Sequence, residues 1–162
     1  AAKNQKMFLH LKKQFQNHSV EKKYTVLVNG SPKEDSGKID LNIARSKSDP
    51  TKNAAVKSKT EGRYALTYWK VLKRYPDYSL LEVMPKTGRM HQIRVHLKAV
   101  GLPVSGDKKY GAKGKDPKHL GRMFLHAEYL SFKNLDGEKM SFSAPVPDDL
   151  ANCLRNLRFV IK

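Results

Sequence analysis

The chain has 162 residues, with 32 Lys and Arg against 15 Asp and Glu, a formal net charge of +17, and 39% hydrophobic and 9% aromatic residues. That length holds one sizeable core and the apolar content suffices to fold it, which argues against a disordered basic tail. No apolar run is long enough to span a membrane, no signal segment is recognisable, and the lone cysteine, Cys153, excludes a disulfide framework or a cysteine-built metal site; a soluble protein of a reducing, cytoplasmic compartment is expected.

From Lys3 to about His18, Met7, Phe8, Leu11 and Phe15 recur at helical spacing and predict an amphipathic helix. Tyr24 to Val28 reads as a strand stopped by the turn dipeptide Asn29-Gly30, and Ile39, Leu41 and Ile43 alternate with polar residues as one short strand. Residues 46–59 are rich in Lys, Ser and Asn and are expected to form a long polar loop. Arg63–Leu72 and Asp77–Met84 predict a hairpin around Tyr75-Pro76-Asp77, and His91–Val100 a helix stopped by Gly101 and Pro103. Residues 106–121 form a lysine- and glycine-rich irregular segment, followed by strands over Met123–Phe132 and Lys139–Ala144. A last helix opens at Pro147, with Asp148 and Asp149 in its first turn and Leu150, Leu154, Leu157 and Ile161 as its buried stripe. The order implies a single α+β domain over 1–162, a mixed, mainly antiparallel sheet flanked by helices.

So large a positive surplus points first to nucleic-acid phosphates, since each phosphate neutralised releases condensed counterions. Solvated lysines on a merely soluble protein are the plainer alternative, and no long amphipathic helix of the membrane-surface kind is present. Generic motifs are scarce: no phosphate loop and no dinucleotide fingerprint occurs, and His91 and His96, five apart, fall on different sides of a helix, which argues against zinc. Cys153 lies on the apolar stripe of the last helix and reads as a small buried hydrophobe. The unusual stretch is Lys86 to Leu97, where a Thr87-Gly88 break feeds a helix whose first turns carry Arg89, His91, Gln92 and Arg94. This is either a donor-rich site for an anion or carboxylate, or a solvated helix start with incidental polar residues.

Thr87-Gly88-Arg89-x-His91-Gln92-Ile93-Arg94-Val95-His96-Leu97, followed by Gly101-x-Pro103-x-x-Gly106-Asp107-x-x-Tyr110-Gly111, resembles the RluA family of RNA pseudouridine synthases. Lys23-Tyr24 is similar to that family's Lys-x-Tyr strand in shifted form, Leu125-His126-Ala127 to its Leu-His-Ala segment, and Ala144-Pro145-x-Pro147 to the start of its final helix. The resemblance runs from about residue 2 to about residue 157 and implies isomerisation of uridine to pseudouridine in structured RNA, rRNA or tRNA, with no metal and no organic cofactor. It implies Tyr24 as the aromatic platform for the extruded base and Arg94 as the partner of a catalytic carboxylate. Arg89 and His91, with the lysine run Lys108, Lys109, Lys113, Lys115 and Lys118, are read as RNA contacts, and Lys47, Lys52, Lys57 and Lys59 as weaker candidates.

One departure stands out. The family's catalytic aspartate lies in an Arg-Leu-Asp segment that occurs nowhere in these residues, and Ala2-Lys3-Asn4 is similar to the end of the strand that follows it. The chain is therefore expected to start just downstream of that motif, as an N-terminally truncated catalytic domain inactive by itself. Asp107 is the tempting substitute, but its place in a turn after the helix favours turn capping. The alternative is a non-catalytic RNA-binding protein that kept the scaffold. Loss of an upstream strand would expose a sheet edge, from which self-association is expected.

Overall fold

The computed structural model describes residues 1–111, 117 and 120–158. In chain order the elements are α1 (Gln5–Gln16), β1 (Glu21–Asn29), β2 (Ser36–Asp40), β3 (Asn42–Arg45), β4 (Asn53–Val56), β5 (Leu66–Arg74), β6 (Tyr78–Pro85), α2 (Gln92–Ala99), β7 (Leu125–Lys133), β8 (Lys139–Ser143) and α3 (Asp148–Arg158). Six strands form one sheet in the order β2-β5-β6-β1-β7-β8, and every ladder within it is antiparallel. This is the α+β architecture expected from the order of elements.

The sheet is covered on both faces because its central strand is apolar in both directions. In β1, Val26 and Val28 join Leu81, Val83, Ile93, Leu97 and Val104 on the α2 face. Leu27, between them, points the other way and packs with Phe124, Leu150, Cys153 and Leu157 on the α3 face. Cys153 is buried there, as expected. Side chains alternate along a strand, so Tyr24 and Lys22 fall on the same face as Val26 and open toward the start of α2.

The structure corrects two readings and adds to a third. Ile39, Leu41 and Ile43 do not share one strand: Ile39 lies in β2 of the large sheet and Ile43 in β3 of a separate two-stranded sheet. The chain changes sheet at Leu41, whose carbonyl accepts a hydrogen bond from His96 Nε2 at 2.9 Å. The segment 46–59 is not loop throughout, because Asn53–Val56 forms β4 and pairs with β3. Ala55 packs on the cluster of Ile43, Ala65, Val95 and Tyr110, so two small side chains and a valine make a strand whose apolar content a lysine-rich neighbourhood conceals. Finally, α1 is a helix, capped by Asn4 accepting from the Met7 N–H at 2.9 Å, yet none of its residues is buried. Phe8, Leu9 and Phe15 stay about half exposed. It is fastened instead by polar contacts, since Gln14 exchanges two hydrogen bonds of 2.8 Å with the backbone of Lys133 at the end of β7.

Candidate active site

A cavity of about 460 Å³ opens between the first residues of β1, the end of β6 and the start of α2. That size lies within the roughly 300–1,000 Å³ of small-ligand sites. Tyr24, Arg89, His91 and Arg94, four residues singled out from the sequence, all line it, together with Lys22 and Phe15. Tyr24 is half-buried between β6 and β7, opposite Val83 on one side and Ala127 on the other. Burial raises its hydroxyl pKa, so the ring presents a neutral face.

Arg94 is held by Asp107. Nε donates to Oδ2 and Nη2 to Oδ1, both at 2.7 Å. Oδ1 also accepts the backbone N–H groups of Lys109 at 2.9 Å and Tyr110 at 3.0 Å. The Asp107 side chain is 1% exposed and that of Arg94 14%. Burial alone would raise the Asp107 carboxyl, but the hydrogen bonds from Arg94, Tyr110 and Lys109 outweigh it and hold the pKa below the ordinary carboxylate value. The same bonds raise Arg94 against its own desolvation. Asp107 is thus a buried anchor that caps its turn and clamps a guanidinium. Both of its oxygens accept hydrogen bonds, as a turn-capping residue's do. Arg94 keeps its Nη1 protons and the second Nη2 proton, and the Tyr110 ring packs 4.7 Å from its guanidinium carbon.

The start of α2 is braced by a closed polar network. Gln92, buried at the second position of the expected helix, spends its whole amide. Oε1 accepts from Thr87 Oγ1 at 2.7 Å and from the Arg89 N–H at 2.9 Å, while Nε2 donates to the Leu66 carbonyl and Thr67 Oγ1, both at 3.0 Å. Thr67 therefore turns its proton to His96 Nδ1 at 2.9 Å, and His96 Nε2–H goes to Leu41. Burial holds His96 below its usual pKa, in keeping with this neutral tautomer.

His91 stands just before the helix in a left-handed conformation, φ 58°, uncommon for a residue with a Cβ and characteristic of functional sites. Tyr110 packs edge-on against its ring. The Tyr110 hydroxyl accepts the Asn53 N–H at 3.0 Å and shares a hydrogen bond of 3.0 Å with His91 Nδ1. The Asn53 amide also donates to the Met90 carbonyl at 3.1 Å. Desolvation, then Arg94 and Lys109, lower the His91 pKa. The lowered pKa favours the neutral ring.

Lys108 is exposed and Lys109 partly so, one turn from the Arg94–Asp107 pair; Lys113, Lys115 and Lys118 lie outside the described residues. Lys23 is not part of the cavity, since it pairs with Glu82 at 3.2 Å. Lys22, two residues before Tyr24, lines the cavity instead. Among the described residues no three His, Cys, Asp or Glu side chains converge as metal ligands.

Residues 1–99 match the family model described as RNA pseudouridylate synthase. The chain belongs to this RNA pseudouridylate synthase family. It is 40% identical over 158 residues to an uncharacterized RNA pseudouridine synthase of Bacillus subtilis, YlyB, covering 97% of this chain and 50% of that protein. A counterpart of Chloroflexus aurantiacus is 44% identical over 146 residues, 90% of this chain and 45% of that protein. The chain thus spans about half the length of these curated relatives. Among solved structures, human RNA pseudouridylate synthase domain containing 1 superposes with a TM-score of 0.82 at 29% identity, over 94% of this chain and 66% of that one. The pseudouridylate synthase fold is therefore the setting in which Tyr24, Arg94 and the Gln92 network are to be understood.

Sequence reading missed Lys22, Asn53, Thr67 and the bracing role of Tyr110. Lys22 was within reach, two residues before Tyr24 on the same face of a strand. Asn53 acts through Met90 and Tyr110, and Thr67 through Gln92 and His96 of α2, all distant in sequence, and nothing local in their surroundings signals them.

Proposed function

We propose that the cavity receives a uridine extruded from structured RNA, rRNA or tRNA, and that the protein isomerises it to pseudouridine with a carboxylate lying outside these 162 residues. The observation that carries this reading is the meeting of Tyr24 and Arg94 in one cavity. Isomerisation breaks the bond from ribose to a uracil nitrogen, turns the base and rejoins the sugar to a ring carbon. Extruding the base costs a few kcal/mol of unstacking, of which an aromatic face recovers about 1–3 kcal/mol; Tyr24 supplies such a face. The carboxylate must stay ionised and aimed. Arg94 can do both through the N–H groups that Asp107 leaves, because a guanidinium holds two carboxylates on different edges. By itself the 162-residue chain then binds RNA without turning it over. The exposed edge strand β8, with Met140 and Phe142 unburied, supports association of this chain with copies of itself.

The test joins the chain to an upstream segment carrying Arg-Leu-Asp and measures release of tritium from uridine labelled at the ring carbon, in ribosomal and transfer RNA. Turnover is expected, and Arg94→Lys should lose most of it while keeping RNA affinity. RNA bound with every uridine unchanged would overturn the synthase reading in favour of a binding scaffold.

A further inference from the structure

Among the described residues Lys23, Lys47, Lys52, Arg74, Arg94, Arg122 and Lys139 each have a carboxylate within 4.0 Å. Most of the other described lysines and arginines are scattered over the surface, but four of them, Lys22, Arg63, Lys86 and Arg89, gather around one cavity. Lys22 and Arg89 line the cavity. Lys22 Nζ is 3.5 Å from the Thr87 carbonyl, beside Lys86, and Arg89 Nε donates to the Tyr64 carbonyl at 2.9 Å, beside Arg63. The acids nearest in sequence are already engaged, Glu21 by Lys139, Glu61 by Lys47 and Glu82 by Lys23. The four cations repel each other in pairs: desolvation and then Lys86 lower the Lys22 pKa, and desolvation and then Arg63 lower that of Arg89.

Like charges gathered without a counter-ion make a site whose repulsion an anion relieves. Arg63 and Lys86 are exposed, Lys22 and Arg89 partly so, and of the four only Lys22 and Arg89 line the cavity itself. We propose that Lys22, Arg89, Lys86 and Arg63 form a phosphate-binding rim that grips the RNA backbone on one side of the nucleotide in the cavity, apart from the residues that handle the base. This rests on the RNA reading above, and it assigns the grip to a place the lysine-rich segment 106–121 does not include.

The experiment is RNA binding by the 162-residue chain, followed by fluorescence anisotropy on a short uridine-containing RNA hairpin across a series of potassium chloride concentrations. Arg63→Gln/Lys86→Gln removes two rim charges. Lys33→Gln/Lys38→Gln removes two exposed charges near Gly30, at the far end of β1. Each lost phosphate contact lowers the slope of log K against log salt by about 0.7–0.9. The rim variant should therefore lose about 1.4–1.8 of slope and bind roughly 25- to 60-fold more weakly at about 0.1 M salt. The control should stay close to the parent. Equal losses in the two variants, an unchanged slope in the rim variant, or no RNA binding by the parent would each overturn the rim. Because only binding is read, the outcome is separable from the synthase reading: a complete protein that leaves uridine unchanged while the rim slope falls as expected sinks the chemistry and keeps the rim.

Discussion

Replacing Asp107 by Asn tests whether the Arg94 clamp is the structural pivot of the site. The substitution keeps the shape and one carbonyl oxygen, which can still accept the Lys109 and Tyr110 N–H groups now bound at 2.9 and 3.0 Å. It replaces the other oxygen with an NH₂ that faces a guanidinium N–H, donor against donor. Two charge-assisted hydrogen bonds of 2.7 Å are at stake, each worth about 1.5–3 kcal/mol. With the Asp107 side chain 1% and the Arg94 side chain 14% exposed, water offers little compensation. Breaking a buried pair by removing one partner costs about 3–5 kcal/mol. At about 2–4 °C per kcal/mol for a chain of this size, Tm should fall by roughly 10 °C. Thermal and urea denaturation followed by circular dichroism measure it. The pH dependence carries a second signature. Because the folded pKa of Asp107 is depressed, its contribution is complete above the unfolded value of 3.8 and is lost as pH falls through the lower folded value; Asp107→Asn should flatten that acid limb. A variant melting within about 2 °C of the parent, with an unchanged acid limb, would refute the clamp.

Two further outcomes follow from the frame around the site. His96 is buried neutral, so its stabilising contribution is full above the unfolded value of 6.5 and is lost as pH drops below it toward the depressed folded value; the parent should lose up to about 1.4 kcal/mol per pH unit from this group, and His96→Gln, measured by urea titration between pH values on either side, should show a shallower dependence, equal slopes counting against a neutral His96 in the folded state. Gly106 has φ +72° and an added Cβ would lie 2.1 Å from the Arg122 carbonyl oxygen, whereas Gly88 has open space within 4 Å and no left-handed φ. Gly106→Ala should therefore cost at least about 2 kcal/mol and Gly88→Ala less than about 1 kcal/mol in either direction, by the same denaturation assay; similar values for the two would show that the turn before Asp107 is not constrained as described.

How much of this was legible in the sequence depended on whether the cause was local. The run Val26-Leu27-Val28 announces a strand buried on both faces, and Ile93 and Leu97 at a spacing of four announce the face of α2 that packs on it. The segment Thr87–Leu97 was legible as one unit because its pieces bond within a few residues of each other, Thr87 and Arg89 both to Gln92. Arg94 was legible as a site residue, but its counter-ion was not, since Asp107 sits 13 positions on and meets it only when the chain turns back after α2. The same holds for Tyr110, which reaches back 19 positions to His91 and 57 to Asn53.

The placement of counter-ions follows from where each cation stands. A guanidinium as enclosed as that of Arg94 would cost several kcal/mol to leave unpaired, so the fold supplies Asp107 and with it a fixed orientation. Lys22, Arg63, Lys86 and Arg89 stand near solvent, where water and a Debye length of about 10 Å at 0.1 M salt reduce their repulsion to something the fold tolerates. That tolerance lets them remain unpaired and available. Carboxylates placed beside them would gain little stability, as exposed pairs do, and would cancel the field that draws a phosphate. The buried pair and the open rim are thus one electrostatic arrangement read at two depths: precision where a bond must be aimed, attraction where a flexible backbone must be caught.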